Sequence, residues 1–347
     1  MTDSEQFLYE LNQSISPTYR ALLQAESLRR WIQRLLIENE EFAISTAKGY
    51  LAQINSFCEF AGKGPDAIIE EARSQGVSYQ YEDLLDKWFT ELKDRFGDQR
   101  DTAISKIGTV LSFFKRNRIK LNYDIPKKSK KTPFPFAPEK ELLRKAFLSV
   151  PPSNNTLRSW IIMQSQCGLS EIDLLHLDVD VSNAGKDQWL PAFASFREQY
   201  NKGLCPISLV IVRQKSHQVT ISFLGEEVLP FVKFYGSRLW PWKQDAVDPG
   251  KTVRKAFKSI QTTIGERRFR PHTLRHYFKT VLDDCDFHPN TVKRMMGHSL
   301  GKTEGAYNAA EVEKLKAKYR VAYPKLRLFE PEFKGCLATL TAKDFPS

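Results

Sequence analysis

Long hydrophobic runs are missing from this 347-residue sequence. No window approaches the roughly 18 uncharged apolar residues that a membrane span requires, and the N-terminus MTDSEQFLYE lacks the basic-then-apolar order of a secretory signal. The expectation is a soluble, intracellular protein with no membrane partner. Cysteine is scarce as well: Cys58, Cys167, Cys205, Cys285 and Cys336 are scattered, odd in number and without a CxxC pair. That pattern fits reduced buried thiols rather than a disulfide framework or a zinc site. Gly-rich phosphate loops, HExxH and carboxylate clusters spaced for two metals are absent, which disfavours metal-dependent nuclease and transposase mechanisms. No internal repeat or low-complexity tract occurs.

What is present is ample core material. The chain is 41% hydrophobic, with 23 Phe and 6 Trp, so it is neither disordered nor fibrous. At roughly 150 residues per domain its length suits two domains. Lys plus Arg number 52 against 41 Asp plus Glu, a surplus of +11 with a pI near 9.3. Charge alone leaves nucleic acid, an anionic membrane and plain solubility open.

The clearest break is PKKSKKTPFPFAP, residues 126 to 138. Four prolines prevent helix, and Lys127, Lys128, Lys130 and Lys131 repel one another, so a linker is expected over 123–138. It reads either as a solvated connector or, with Lys115, Arg116, Arg118 and Lys120 just upstream, as a path along a phosphate backbone. Before it, residues 1–20 read as a polar arm and 21–122 as an all-α domain of about four amphipathic helices: LRRWIQRLLIEN, STAKGYLAQINSFCEFAG, EDLLDKWFTELKDRF and DTAISKIGTVLSFFKRN. After it, residues 139–325 predict a mainly helical domain with a small antiparallel sheet. ISLVIVRQ and HQVTISF form its hairpin signal, and FLGEEVLPFVKFYGSRL, TVRKAFKSIQTTI, HTLRHYFKTVLDD and NTVKRMMG read as helices, the last capped by Asn290 and stopped by Gly297. Residues 326–347 form a tail.

The segment RPHTLRHYFKTVLDDCDFHPNTVKRMMGHSLGKTEGAY, 270–307, carries the chemistry. His272 and Arg275 are three apart and project from one helix face. His298 follows a helix-ending glycine, and Tyr307 comes nine residues later. Fixed cationic and N–H donors stabilise charge on the nonbridging oxygens of a phosphate, and a tyrosine can attack as a covalent nucleophile without metal or nucleotide.

His272-Thr273-Leu274-Arg275, Met296-Gly297-His298 and Tyr307 together resemble the C-terminal signature of tyrosine recombinases, the phage-integrase family. The resemblance spans roughly residues 20 to 325. It implies the DNA breaking-rejoining catalytic fold within a two-domain, C-shaped clamp on duplex DNA, with Lys115, Arg116, Lys127, Lys128, Lys130 and Lys131 as DNA-binding candidates. It also implies that Lys215, in the hairpin turn, protonates the leaving 5′ oxygen. The family's first catalytic arginine falls on Ser170 of Cys167-Gly168-Leu169-Ser170, and a hydroxyl cannot grip two phosphate oxygens as a guanidinium does. Arg213 is the preferred substitute, since strand alternation puts it on the same sheet face as Lys215. Arg158 and Arg197 are weaker candidates, Asp173 reads as a structural buttress, and His276 points off the motif face.

The resemblance therefore implies a site-specific recombinase that needs no cofactor. Tyr307, Arg275, His272, His298, Lys215 and Arg213 form its catalytic set. Its partners are double-stranded DNA and three further copies in a synaptic tetramer, in the cytoplasm of a prokaryotic cell or the host of its virus or plasmid. A DNA-binding or architectural protein that lost cleavage at Ser170 is the alternative, and a type IB topoisomerase shares the chemistry. Leu326, Leu328, Phe329, Phe333, Leu337 and Leu340 of the tail suit either docking on a neighbouring protomer or packing on their own domain.

Overall fold

Two units divide the chain in the computed structural model, Met1–Pro133 and Phe134–Ser347, and the division falls inside the Pro/Lys stretch. The structure describes residues 3–39, 42–74, 79–96, 100–126, 136–180, 194–213, 218–242, 250–298 and 309–330. No described helix is long and apolar enough to cross a membrane.

The first unit holds seven helices among its described residues: α1 (Asp3–Ser14), α2 (Pro17–Leu22), α3 (Glu26–Glu38), α4 (Ile44–Ala61), α5 (Pro65–Ser74), α6 (Tyr79–Phe96) and α7 (Arg100–Arg116). Trp31 of α3 is fully buried, yet its indole N–H is not orphaned, because it donates to Ser112 Oγ of α7 at 3.1 Å. The start of α3 is capped from α5, where the Asp66 carboxylate accepts the backbone N–H groups of Glu26 and Ser27 at 3.0 and 2.8 Å. Two expectations change here. Within residues 1–20, read as a polar arm, 3–14 and 17–20 are helical, and Leu8, Leu11 and Ile15 are buried against the unit's core; three apolar residues form too narrow a stripe to stand out in a polar segment. The short α5, begun by Pro65, adds to the four helices expected.

In the second unit, α8 (Lys140–Ser149), α9 (Asn155–Cys167), α10 (Glu171–Leu175) and α11 (Phe196–Asn201) precede the antiparallel hairpin of β1 (Ile207–Val212) and β2 (Val219–Leu224). The register pairs Ile207 with Leu224 and Val212 with Val219. Both strands are almost continuously buried, Ser208, Thr220 and Ser222 included, because α11 packs on β1 while α9 packs on β2. A 3-10 helix (226–231), α12 (Gly250–Ile264), α13 (Pro271–Asp283), α14 (Pro289–Met295) and α15 (Ala309–Leu326) follow. Buried from Leu157 to Cys167, α9 forms the unit's centre.

The helix expected over 223–239 is replaced by that single 3-10 segment. Pro230 lies inside it and has no N–H to continue a helix. His288 rather than Asn290 caps α14, its Nδ1 accepting the Asn290 N–H at 3.2 Å. Leu326, Leu328 and Phe329 are 0–1% exposed in their own unit, with the Phe329 ring 5.0 Å from Phe147, which removes them from any docking surface. Phe333, Leu337 and Leu340 lie outside the described residues.

Candidate active site

Two helix C-termini and a strand end converge in the second unit. At the end of α9, Gly168 adopts the left-handed conformation (φ +60°), and a Cβ there would lie 2.1 Å from Phe278 Cδ1 of α13. Only glycine lets these helices approach so closely. The Gly168 carbonyl, an orphan of the helix end, accepts Arg275 Nη1. Arg275 Nη2 donates to the Met296 carbonyl beyond α14 at 2.6 Å and lies 2.7 Å from His298 Nε2. Carbonyl-rich helix ends favour cations. That arrangement explains how a guanidinium only 2% exposed stays charged.

Arg213, the residue after β1, reaches the same place from the sheet. Its Nε donates to Asp173 Oδ2 at 2.9 Å and its Nη1 to the Gly297 carbonyl at 2.5 Å. Gly297 is also left-handed (φ +64°), and a Cβ on it would lie 2.2 Å from Arg213 Cδ and from Thr220 Oγ1. The two guanidiniums lie close enough to act on each other. Burial first, then the charge of Arg213, brings the pKa of Arg275 down to about 10. His298 is pushed down to about 4 by desolvation followed by the charges of Arg275 and Arg213, and His272 is lowered by burial and Arg275. Both histidines are therefore neutral at pH 7 and able to accept or donate a proton. Each histidine still keeps enough surface to count as exposed over the whole residue, whereas Arg275 is buried.

Four of the six expected catalytic residues, His272, Arg275, His298 and Arg213, are thus brought together, whereas Lys215 and Tyr307 lie outside the described residues. His276 does not stand apart, since its ring meets His272 edge to face at 4.6 Å. Arg158 and Arg197 are engaged elsewhere: Arg158 with the Val150 carbonyl at 2.9 Å and the Phe147 ring, Arg197 with Asp180 at 2.5 Å and the Phe234 ring. Among the described residues no group of three or more His, Cys, Asp or Glu side chains is placed to hold a metal.

No protein-family model matches the chain. A curated tyrosine recombinase XerC of Bacillus licheniformis is 26% identical over 319 residues, covering 86% of this chain and 96% of that relative. Over most of its length the chain is similar to tyrosine recombinases. A XerC of Syntrophus aciditrophicus is 37% identical over 85 residues, which is 24% of this chain and spans only 27% of that relative's length. The solved XerH site-specific recombinase bound to its difH substrate, a pre-cleavage complex, shares the fold with a TM-score of 0.51 at 16% identity, covering 90% of this chain and 92% of that one.

The basic residues singled out from the sequence are placed as follows. Lys115 is exposed. Arg116 is engaged by Glu38 and by Ser112 Oγ at 2.6 Å, and Lys127, Lys128, Lys130 and Lys131 lie outside the described residues. The sequence reading missed the outer stripe of α12, where Lys251, Lys255 and Lys258 are exposed opposite buried Val253, Phe257 and Ile260. Lysines three and four apart on an otherwise amphipathic helix were the available signal.

Proposed function

We propose that this protein is a tyrosine recombinase that cuts and rejoins double-stranded DNA at a defined site. Tyr307 Oη attacks the scissile phosphorus, forming a 3′-phosphotyrosyl bond as the bond from phosphorus to the 5′ oxygen breaks. Lys215 gives that oxygen its proton. Arg275 and Arg213 hold the nonbridging oxygens, while His272 and His298 hydrogen-bond the phosphate or take the tyrosine proton. The freed 5′ hydroxyl of a partner strand then attacks the phosphotyrosine, and four protomers on two duplexes exchange strands through a Holliday junction, in the cytoplasm of a prokaryotic cell or the host of its virus or plasmid. The carrying observation is the pair of guanidiniums backed by helix-end carbonyls and overlaid by two neutral histidines.

Covalent capture tests this reading. Incubated with a pool of nicked random-sequence duplexes, the protein should form an SDS-resistant adduct that is enriched in one sequence and absent from Tyr307→Phe. Binding to DNA without any adduct would support instead a clamp that lost cleavage, the reading that Ser170 favours by standing where the family has arginine. Relaxation of supercoiled DNA at many sites would support a topoisomerase.

A further inference from the structure

Ser170 and Arg213 meet on one oxygen. Ser170 Oγ donates to Asp173 Oδ2 at 2.6 Å, and Arg213 Nε donates to the same atom at 2.9 Å. The Asp173 side chain is 1% exposed, so its charge must be met within the protein. Ser170 meets a backbone need as well. It is the N-cap of α10, and its Oγ accepts the Asp173 N–H at 3.3 Å. The serine thus holds Asp173 by both backbone and carboxylate.

Arg213 is held at two edges of its guanidinium. Nε is bound to Asp173 and Nη1 to the Gly297 carbonyl, which together fix its plane. The aliphatic stem passes through the notch left by the missing Cβ of Gly297, beside Thr220. Among the described residues, Nη2 has no hydrogen-bond acceptor.

We propose that Ser170 and Asp173 are positioning residues for Arg213, and that the serine is the partner this arginine needs rather than a lesion. The phosphate-gripping guanidinium comes from the end of β1 instead of the helix turn at 170. An arginine at 170 would add a third cation to the site, compete with Arg213 for Asp173 and remove the cap of α10. The inference rests on the proposed function in one respect, that the ligand of Nη2 is the scissile phosphate.

Two measurements test it. In the first, without DNA, the arginine side-chain 15N spectrum of the full chain should contain a slowly exchanging Nε–H resonance, assigned by its loss in Arg213→Lys. It should persist in Tyr307→Phe, exchange faster in Ser170→Ala and vanish in Asp173→Ala, which leaves no acceptor at this position. Absence of a protected Arg213 Nε–H in the wild type, or its survival in Asp173→Ala, overturns the positioning scheme whether or not the protein cleaves DNA.

The second uses the captured nicked duplex. Arg213→Ala and Asp173→Asn should each slow adduct formation about 10²- to 10³-fold, the range for loss of one preorganised donor to a developing charge. The double variant should be no slower than Arg213→Ala alone, as expected for two residues acting as a unit. Ser170→Ala should cost about 10-fold, the worth of one hydrogen bond to a charged group, and Ser170→Arg should also be slower than wild type. A neutral methylphosphonate at the scissile position removes the charge that Arg213 neutralises, so it should narrow the gap between these variants and wild type, which a folding defect would not do. Faster cleavage by Ser170→Arg, additivity in the double variant or no narrowing on methylphosphonate would overturn the inference. A wild type that forms no adduct but retains the protected Nε–H would refute the recombinase reading and leave the Ser170–Asp173–Arg213 arrangement intact.

Discussion

Glu227 offers a test of how the second unit is closed. Its carboxylate is 2% exposed, with Oε2 accepting Gln166 Nε2 at 2.7 Å and the Leu328 N–H at 3.0 Å, and Oε1 accepting the Phe329 N–H at 2.7 Å. It therefore ties the chain beyond α15 to the centre of the unit. Burial raises its pKa from the ordinary 4.5 to about 7, against the opposing pull of those three donors. A folded pKa above the unfolded one means that the native state holds its proton longer. The contribution to stability is complete below pH 4.5 and is lost as pH rises through about 7; a gap of 2.5 units corresponds to about 3 kcal/mol. Glu227→Gln mimics the protonated acid and does not titrate. Thermal melts should show it close to wild type at pH 5 and gaining on wild type by up to about 3 kcal/mol at pH 8. Glu227→Ala leaves three donors without an acceptor and should lose about 4 kcal/mol, or roughly 8–16 °C in Tm for a unit of this size. Hydrogen exchange should show the Leu328 and Phe329 amides unprotected in the alanine variant. A glutamine variant that loses ground to wild type as pH rises would refute the reasoning, because the donors would then outweigh burial. Unchanged Phe329 protection in the alanine variant would refute the tether.

Gly168→Ala should destabilise the unit by about 2–5 kcal/mol, combining left-handed strain with overpacking against Phe278, and should reduce adduct formation because the same residue's carbonyl holds Arg275; calorimetry and capture assays measure the two effects. Arg213→Ala removes a cation beside His298, so NMR titration should show the His298 pKa rising from about 4 toward its ordinary value, and a fall would contradict the placement of Arg213. Replacing Lys251, Lys255 and Lys258 together with Gln should flatten the salt dependence of DNA binding by roughly 0.9 in log–log slope for each phosphate that these lysines neutralise. An unchanged slope would remove the outer face of α12 from the interface.

Much of this architecture is legible in local pattern, and the exceptions have local causes. Three-four spacing finds α4, α6 and α7, and the paired apolar runs find the hairpin, because these elements bury broad faces. It misses α1, whose buried stripe is only Leu8 and Leu11, and it extends a helix through Pro230, where a missing N–H allows only a 3-10 turn. Within the site, the i, i+3 relation of His272 and Arg275 is a helical fact and holds from sequence alone. Arg213 is a different case. Strand alternation singles it out by its relation to Lys215, yet what holds it in the structure is Asp173, 40 positions earlier in the chain, and Gly297, 84 positions later. No spacing rule reaches across such separations. Ser170 looks like a deletion of function for the same reason, since a motif read in one dimension shows that a cation is missing from its usual turn but not that another enters from the sheet. The two guanidiniums nevertheless converge, and the physical demand explains why either route can serve: a phosphate needs charge and N–H donors at fixed positions, and it is indifferent to which backbone element supplies them.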